Sequence, residues 1–437
     1  MADYIMITEE AIESNELVRN QYERFIYPEP IPDLVHYIKN GGYQIGDPNL
    51  YAAYLWPEGR PPGPLSILVA GCGANQAAHI ALTNPDSRVI GLDLSEASLR
   101  HEDHLKHKHG LSNLELHQCD IRDVKKFERE YDLIISTGVL HHMPKPEEGL
   151  VALKETLSST GKMFLMLYAT GRRVGVYLMQ EAFRHLGLGQ SEDDVQIARG
   201  ILNSLPPHHY AHWYMKNNVD ASYDAGIVDS FLHPCDRSFS VPQLLDFVRG
   251  QGVAFQGWLD RGQYAPEIYY EKAPELLAIL SARSIEDQWA FMDNILVSNP
   301  LHAFIVCRTE HLAKTNVELS DPEWLSYYPV RHPFLGNSVG TDSIAGGGLV
   351  SFQRLGFKFD LKQAEAFVIM LADGTRSVRD ICGTPQFAQL PVEDVERFVR
   401  GFLNRMIVRG HLAITRMPCL QPQRSPPLVG DAPRHAR

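Results

Sequence analysis

The sequence predicts an α/β protein whose parallel sheet is covered by helices. Between residues 65 and 168, short apolar runs alternate with helical stretches, and this alternation forms right-handed βαβ units. A glycine-rich turn follows the first of these runs and opens the first helix. The chain has 437 residues, of which 44% are hydrophobic and 22% charged. This balance is typical of a chain that folds into two or three packed domains.

The predicted strands are short apolar runs bounded by turn residues, as buried parallel strands usually are. They cover residues 65–69, 87–92, 114–117, 131–136 and 162–168. Helical stretches lie between them at about 75–83, 96–109 and 147–157. The second stretch has Ser95 as its N-cap and Gly110 just past its end, which are the expected signals of a helix start and stop.

The strand–helix rhythm breaks after Tyr168, and this break divides the chain into regions. We expect a helical N-terminal cap over 1–64 and a core over 65–315 that carries a helical lid insertion at 170–250. A glycine-rich linker then covers 316–350, a small C-terminal domain 351–416, and a proline-rich disordered tail 417–437. In the C-terminal domain, apolar residues from Val395 to Ile407 keep helical spacing over four turns.

Charge and cysteine content exclude several classes of protein. The 41 Lys and Arg residues against 53 Asp and Glu give a net charge of −12, which argues against a nucleic-acid binder. The six cysteines form no C-x-x-C pair, so zinc ribbons and thioredoxin-like sites are excluded and a reducing cytoplasm is the expected location. No run approaches the roughly 20 apolar residues of a membrane helix, so we expect no membrane association.

The most informative segment is the turn from Val69 to Gln76, which reads VAGCGANQ. Glycines at 71 and 73 let the backbone turn tightly and approach a ligand closely, with helix N–H groups facing it. Asp93 ends the second strand 20 residues past Gly73, where a carboxylate can accept both ribose hydroxyls of a nucleotide-like cofactor. In this strand–turn–helix–strand context, the motif predicts a cofactor cleft.

Two cofactors compete for this cleft. A dinucleotide requires a third small residue at position 76 so that the helix packs close under the pyrophosphate, but Gln76 occupies that position. S-adenosylmethionine carries adenosine without phosphate. Cys119-Asp120-Ile121 at the third strand's end suits an adenine, and the segment 131–143 leads into a loop with Thr137, Gly138, His141 and His142.

On these residues the sequence resembles the class I S-adenosylmethionine-dependent methyltransferases over about residues 65–310. The resemblance implies a Rossmann-like, seven-stranded sheet with an antiparallel last strand. It also implies that Gly71 and Gly73 lie near the methionine part, Asp93 at the ribose and Asp120 at the adenine. Many members carry an acid two residues before the first glycine, whereas this chain has Val69. The candidate cofactor residues at the strand ends are Gly71, Cys72, Gly73, Asn75, Asp93, Leu94, Asp120, Ile121, Thr137 and Gly138.

Short motifs outside the core give a second resemblance. Gln21-Tyr22-Glu23, Tyr27-Pro28 and the segment 371–377 (LADGTRS) look like bacterial methyltransferases with a C-terminal "regulatory" winged-helix-like domain. Some of those proteins methylate lysines of surface proteins. The resemblance implies that the N-terminal tyrosine segment closes the cleft, with Tyr22 at the cofactor and Tyr27 at the acceptor.

Methyl transfer is an in-line displacement that mainly requires alignment and exclusion of water. A general base is needed only when the acceptor keeps its proton. An acceptor would sit at the end of strand four, so His141 and His142 are the catalytic candidates, unless they only shape the loop. The lid supplies further acceptor candidates, which are His209, Tyr210, Trp213, His233 and Arg237. Alternatively, these aromatic residues belong to a helical subdomain that packs on the core.

The histidines at 101, 104, 107 and 109 lie in a helix dense in charged residues, so we interpret them as a solvated face and predict no metal site. The sequence therefore predicts an enzyme that transfers a methyl group to N or O of a small molecule or peptide. Protein lysine methylation and non-catalytic S-adenosylmethionine binding remain alternatives. The expected partner is a small-molecule, peptide or protein acceptor, and a homodimer is a candidate assembly.

Overall fold

A computed structural model describes residues 9–297, 300–337, 349–354 and 357–420. Its central sheet has seven strands in the order β3-β2-β1-β4-β5-β7-β6. The strands are β1 Ser66–Ala70, β2 Arg88–Asp93, β3 Leu114–Gln118, β4 Tyr131–Thr137, β5 Leu157–Tyr168, β6 Val253–Trp258 and β7 Leu301–Arg308. Strand β7 runs antiparallel to both β5 and β6, while β1 to β5 pair in parallel. The predicted seven-stranded sheet with an antiparallel last strand is confirmed.

Alternate residues of each strand enter two separate cores, one on each face of the sheet. In β1, Leu68 packs with the helix α6 (Pro146–Glu155), whereas Ile67 packs with α4 (Gln76–Thr83) and α5 (Glu96–His109). Because both faces are covered, the strands are apolar along nearly their whole length. The carboxyl ends of β1, β2, β4 and β5 meet at one edge, where the cleft lies.

The N-terminal region is helical, as predicted. Its helices are α1 Glu9–Arg24, α2 Leu34–Lys39 and α3 Pro48–Leu55. Buried side chains of α3, including Leu50 and Leu55, extend the core on the α4 side of the sheet. The N-terminal segment is therefore part of the core packing.

The lid insertion has a small core of its own, but it is shorter than the predicted 170–250. Its helices are α7 Thr170–His185, α8 Glu192–Asn203, α9 Ala211–Asn217 and α10 Asp224–Phe231. The next helix, α11 (Val241–Gly250), buries Val241, Leu244 and Val248 against the central sheet. The lid thus ends near residue 240, because the apolar side of α11 covers the sheet. Between β6 and β7 lie α12 Pro266–Tyr269, α13 Pro274–Ser281 and α14 Ile285–Leu296.

The C-terminal region forms a third core that begins earlier than predicted. A short helix, α15 (Leu312–Thr315), follows β7 and packs beside β6. The elements of the C-terminal region are β8 Tyr328–Arg331, β9 Gly336–Asn337, β10 Val350–Arg354, β11 Phe357–Leu361, α16 Gln363–Leu371, α17 Val378–Cys382, α18 Val392–Val408 and β12 Leu412–Thr415. Strand β8 pairs with β12, and Leu319 and Tyr327 are buried in the same core as α18. Much of the predicted linker 316–350 therefore belongs to the C-terminal domain. The sequence did not reveal this, because the four residues of β8 are too short a signal to recognise.

The rest of that linker (338–348) and most of the predicted disordered tail (421–437) lie outside the described residues. The winged-helix-like character of the C-terminal domain stays a prediction. Within the described ranges, none of the helices has the length and apolar character needed to cross a lipid bilayer.

Candidate cofactor cleft and acceptor pocket

The glycine turn after β1 is tight. Gly71 and Gly73 have φ angles of +76° and +57°, a region that favours glycine. A Cβ atom on Gly71 would lie 2.3 Å from Cγ2 of Val139, so no larger residue fits there. The amides of Gly71 and Cys72 donate to the Leu92 carbonyl at 2.8 and 2.9 Å, which joins the turn to β2.

Asp93 lies beside this turn, as the sequence predicts. Its Oδ2 accepts from the Gly73 amide and its Oδ1 from the Ser95 amide, both at 2.8 Å. Burial raises the pKa of Asp93 despite these hydrogen bonds. Each carboxylate oxygen keeps a second lone pair, so ribose hydroxyls can still donate to it.

A buried carboxylate occupies the N-terminus of α4. Glu102 accepts from the amides of Ala77 and Ala78, both at 2.8 Å, and burial raises its pKa to about 8. A pyrophosphate normally binds such helix N–H groups. Because Glu102 already holds them, the cleft disfavours a dinucleotide and favours a phosphate-free cofactor.

Several predicted cofactor residues use their side chains to build the cleft. Both polar atoms of Asn75 hold the N-terminal segment, since Oδ1 accepts from the Ile31 amide at 2.7 Å and Nδ2 donates to the Glu29 carbonyl at 3.1 Å. Asn75 is fully buried, so its side chain fastens the N-terminal segment, and cofactor contact through Asn75 stays a prediction. Thr137 Oγ1 donates to Gln76 Oε1 at 2.9 Å.

The predicted adenine end of the cleft carries an ion pair. Arg122 donates two hydrogen bonds to Asp120, from Nε to Oδ1 at 3.1 Å and from Nη2 to Oδ2 at 2.7 Å. The pairing raises the pKa of Arg122. Cys72 and Ile121 are buried in the two cores on opposite faces of the sheet. The Leu94 carbonyl accepts a hydrogen bond from the Gln118 side chain. Cofactor contact through Leu94, Asp120, Ile121 and Gly138 stays a prediction.

The N-terminal segment lies directly over the turn. A Cβ on Gly73 would lie 3.1 Å from Cδ of Pro28 and 3.3 Å from the carbonyl oxygen of Tyr27. The Tyr22 carbonyl accepts from Ser95 Oγ at 3.2 Å. The segment from Tyr22 to Ile31 therefore covers the cofactor cleft.

Beyond the cleft, two buried carboxylates are each held by two tyrosine hydroxyls. Tyr22 and Tyr168 donate to Asp229 at 2.8 and 3.2 Å. Tyr27 and Tyr223 donate to Asp220 at 3.2 and 2.9 Å. Burial raises the pKa of Asp220 to about 6 and also raises that of Asp229. We call these six residues and the adjacent His141, His142 and His233 the tyrosine–carboxylate cluster.

The two predicted catalytic histidines differ in where they carry the proton. His141 Nδ1 accepts from the Tyr168 amide at 3.1 Å, so its proton is on Nε2, and burial lowers its pKa well below 6.5. His142 Nδ1 donates to the Cys235 carbonyl at 2.9 Å, so in the neutral ring the lone pair is on Nε2. Of the pair, His142 is the one suited to accept a proton.

His233 stacks on His142 with ring centroids 3.9 Å apart. Its Nδ1 accepts from the Cys235 amide at 3.0 Å, so Nε2, which lies 3.3 Å from the Tyr22 hydroxyl, carries the proton. Possible ligand atoms of His142, Asp229 and His233 lie within 4.8 Å of one another. A metal ion on His233 Nε2 would have to displace that proton, so the hydrogen bonds favour a proton network over a metal site.

A buried arginine supports the cluster from the lid. Arg173 lies over the Tyr168 ring, 3.7 Å from its centroid, and pairs with Asp236. The negative charge of Asp236 thereby neutralises the positive charge of Arg173. The carboxylates of Asp220 and Asp229 are left with hydroxyl partners and no paired cation of their own among these residues.

Four predicted acceptor residues lie outside the cluster. Tyr210 is 73% exposed and Trp213 39% exposed. His209 Nδ1 accepts from the nearby Ala211 amide, and the exposed Arg237 lies 3.5 Å from Glu147. The inward side of α9 carries Ala211 and Tyr214 instead. Sequence reasoning assigned no role to Tyr168, Asp220 and Tyr223, and it named His233 and Arg237 but not the nearby Asp229 as acceptor candidates. Asp229 is an acid within an apolar run, whereas Asp220 and Tyr223 lie in a polar stretch that gives no such signal.

Comparison with known proteins agrees with this geometry. A family model described as a methyltransferase domain matches residues 64–191. An uncharacterized protein of Synechococcus is 29% identical over 229 residues, which cover 49% of this chain and 54% of that protein. The chain thus spans about half the length of this relative. An uncharacterized protein of Rickettsia prowazekii is 35% identical over 81 residues, which cover 18% of this chain and 14% of that protein.

Solved structures extend the likeness beyond the methyltransferase domain. PKMT2 from Rickettsia typhi matches with a TM-score of 0.62 and 17% identity, covering 85% of this chain and 76% of that one. A second structure of PKMT2, in complex with AdoHcy, matches with a TM-score of 0.61 and 15% identity over the same shares. At this identity the likeness concerns the fold, and the fold is that of the class I methyltransferases.

Proposed function

We propose that this chain is an enzyme that transfers the methyl group of S-adenosylmethionine to the nitrogen of an amine. The methyltransferase domain and the fold shared with PKMT2, which was crystallised with AdoHcy, support the methyl donor. The observation that supports an amine as the methyl acceptor is the pair Asp220 and Asp229, each buried between two tyrosine hydroxyls.

In this proposal the cofactor lies along the carboxyl ends of β1 to β4. The turn at Gly71 and Gly73 lies next to its methionine part, and Asp93 accepts its ribose hydroxyls. Glu102 already binds the amides of Ala77 and Ala78, so the site has no need of a cofactor phosphate. The bound cofactor supplies an electrophilic methyl group on a sulfonium.

The acceptor pocket suits a cation. Two buried carboxylates without a paired cation are costly to ionise, and the raised pKa values of Asp220 and Asp229 express this cost. An ammonium group between them would restore their charge and lie against tyrosine rings, which attract cations. A neutral alcohol or phenol acceptor would not compensate the charge of the two carboxylates.

An ammonium must lose a proton before its nitrogen can attack. His142 Nε2 holds the free lone pair, since Nδ1 donates to the Cys235 carbonyl. In our proposal His142 takes the proton, and the nitrogen lone pair then forms the N–CH₃ bond. The C–S electron pair returns to sulfur, which leaves S-adenosylhomocysteine. Neutral His141, with its proton fixed on Nε2, is a hydrogen-bond donor in the same pocket.

A lysine side chain meets the same requirement as a small amine, so protein lysine methylation is the second candidate. A non-catalytic protein that only binds S-adenosylmethionine is the third. Incubating the full chain with S-adenosylmethionine and either an amine panel or cell-extract proteins, and measuring S-adenosylhomocysteine, separates all three. Mass spectrometry of the methylated product distinguishes a small amine from a protein.

The decisive variant is Asp229→Asn. It keeps the size but removes the charge, so we expect kcat/KM for the amine to fall about 10- to 100-fold, the equivalent of one charge-assisted hydrogen bond. Affinity for S-adenosylhomocysteine should stay near the wild-type value. Asp224→Asn is the matched control, because Asp224 is 50% exposed on the same helix and pairs with Arg199. Unchanged turnover in Asp229→Asn would refute the amine pocket.

A further inference from the structure

Glu23, in the N-terminal helix α1, caps a helix that begins more than 70 residues later. Its carboxylate accepts from the amides of Glu96 at 2.5 Å and Ala97 at 3.2 Å. These are the first two residues of the 14-residue helix α5. The N–H groups of the first turn of a helix have no acceptor within the helix itself. A carboxylate at this end also interacts favourably with the helix dipole.

The same contact fixes the neighbouring residue. Ser95, the N-cap of α5, donates from Oγ to the Tyr22 carbonyl at 3.2 Å and accepts from the Ser98 amide at 3.1 Å. The Ser95 amide in turn donates to Asp93. Tyr22 and Glu23 are therefore attached to the helix start that follows the predicted ribose carboxylate.

The Tyr22 side chain leads from this attachment into the acceptor pocket. Its hydroxyl donates to Asp229 at 2.8 Å and lies 3.3 Å from His233 Nε2. One backbone segment thus spans the cofactor cleft and the tyrosine–carboxylate cluster. The carboxylate of Glu23 binds the start of α5, and its charge also contributes to the raised pKa of Asp93.

We infer that Glu23 is a positioning residue that latches α1 onto α5 and so holds Tyr22 between the two sites. This inference rests on the proposed function, because it assigns to Tyr22 the boundary between methyl donor and acceptor. Without the latch, the segment over the glycine turn opens more often, the cofactor product leaves faster, and Asp229 loses a fixed hydroxyl donor.

The test compares Glu23→Ala, Glu23→Gln and wild type in the full chain with S-adenosylhomocysteine as the probe. We expect Glu23→Ala to raise the Kd about 10-fold, the size of a lost N-cap, mainly through a faster dissociation rate. Glu23→Gln should lie between, because its amide oxygen still accepts a hydrogen bond without the charge. Glu16→Ala is the control, since Glu16 lies in the same helix, is 64% exposed and has Arg19 at 3.5 Å.

A second arm separates positioning from general stabilisation. If Glu23 acts through Tyr22, the fall in acceptor kcat/KM caused by Glu23→Ala should be several-fold smaller in a Tyr22→Phe background than in wild type. Independent, multiplying losses would overturn the inference, as would an unchanged Kd in Glu23→Ala.

A wild-type chain that binds no S-adenosylhomocysteine would refute the proposed function itself. The latch is then judged by amide hydrogen exchange over residues 16–24. Faster exchange in Glu23→Ala, but not in Glu16→Ala, supports the latch, and equal exchange in the two variants overturns it.

Discussion

The cofactor cleft and the tyrosine–carboxylate cluster lie side by side but are built in different ways. The cleft comes from the segments that follow consecutive strands between residues 71 and 138, and two of its acids, Asp93 and Glu102, are bound by backbone amides. The cluster comes from α1 and the segment after it, the loop after β4, β5 and the lid, and its acids are bound by tyrosine hydroxyls. Adjacent sites can therefore rest on different kinds of hydrogen-bond donor.

This difference has a physical consequence. A backbone amide in a turn cannot reorient without unfolding the turn, so Asp93 is held in one position. A tyrosine hydroxyl rotates about its C–O bond and can exchange one acceptor for another. We expect the cleft to be rigid and specific for one cofactor, and the cluster to rearrange its hydrogen bonds around an entering acceptor.

The largest expected effect is on the rigid side. Asp93→Asn removes the charge and turns one acceptor into a donor, while the Gly73 and Ser95 amides still need acceptors. We expect S-adenosylmethionine affinity to fall about 30- to 1,000-fold, since roughly 2–4 kcal/mol of charge-assisted hydrogen bonding is lost. Calorimetric titration measures it. Asp86→Asn, an exposed change in the loop before β2, is the control. A folded Asp93→Asn protein with near wild-type affinity would break the comparison.

On the cluster side, the informative variable is pH. Burial raises the pKa of Asp220 from 3.8 to about 6. The stability that this group contributes is therefore complete below pH 3.8 and is lost as pH rises through about 6. Asp220→Asn cannot ionise, so it should be more stable than wild type at pH 8, by at most about 3 kcal/mol.

The measurement is the Tm of both proteins between pH 4 and 8. The advantage of Asp220→Asn should shrink towards pH 4, where any remaining difference reports the hydrogen bonds to Tyr27 and Tyr223. A difference that does not change with pH would mean that Asp220 is not desolvated by the cluster.

The smallest effect is expected at the lid surface. Tyr210→Ala and Trp213→Ala should change turnover less than about 3-fold and stability by less than about 1 kcal/mol, because exposed side chains contribute little. Tyr214→Phe on the buried side of α9 should reduce stability more, since it removes the Tyr214 hydroxyl that lies 2.8 Å from Ser230 Oγ. Initial rates and thermal melts give both quantities. A large loss of turnover in Tyr210→Ala would restore the lid surface to the acceptor site.

The lid shows where sequence reasoning stopped. The segment 206–214 is rich in His, Tyr and Trp, and this composition pointed to a pocket. In a seven-residue helix such as α9, composition does not reveal which side faces inward, and the buried side carries Ala211 and Tyr214. Likewise, the sequence marked His141 and His142 as a pair, and only the partners at Tyr168 and Cys235 separate their proton positions.

The sequence by itself determined the sheet, the glycine turn and the position of Asp93, because strand periodicity and turn chemistry act between residues that are close along the chain. Tertiary structure decided which acids face the acceptor, where each histidine carries its proton, and where the C-terminal domain begins. These features depend on contacts between distant segments, such as the hydrogen bond from Tyr22 to Asp229 across 207 residues. Local patterns carry no information about such pairs, since burial and partner geometry exist only once the chain has folded.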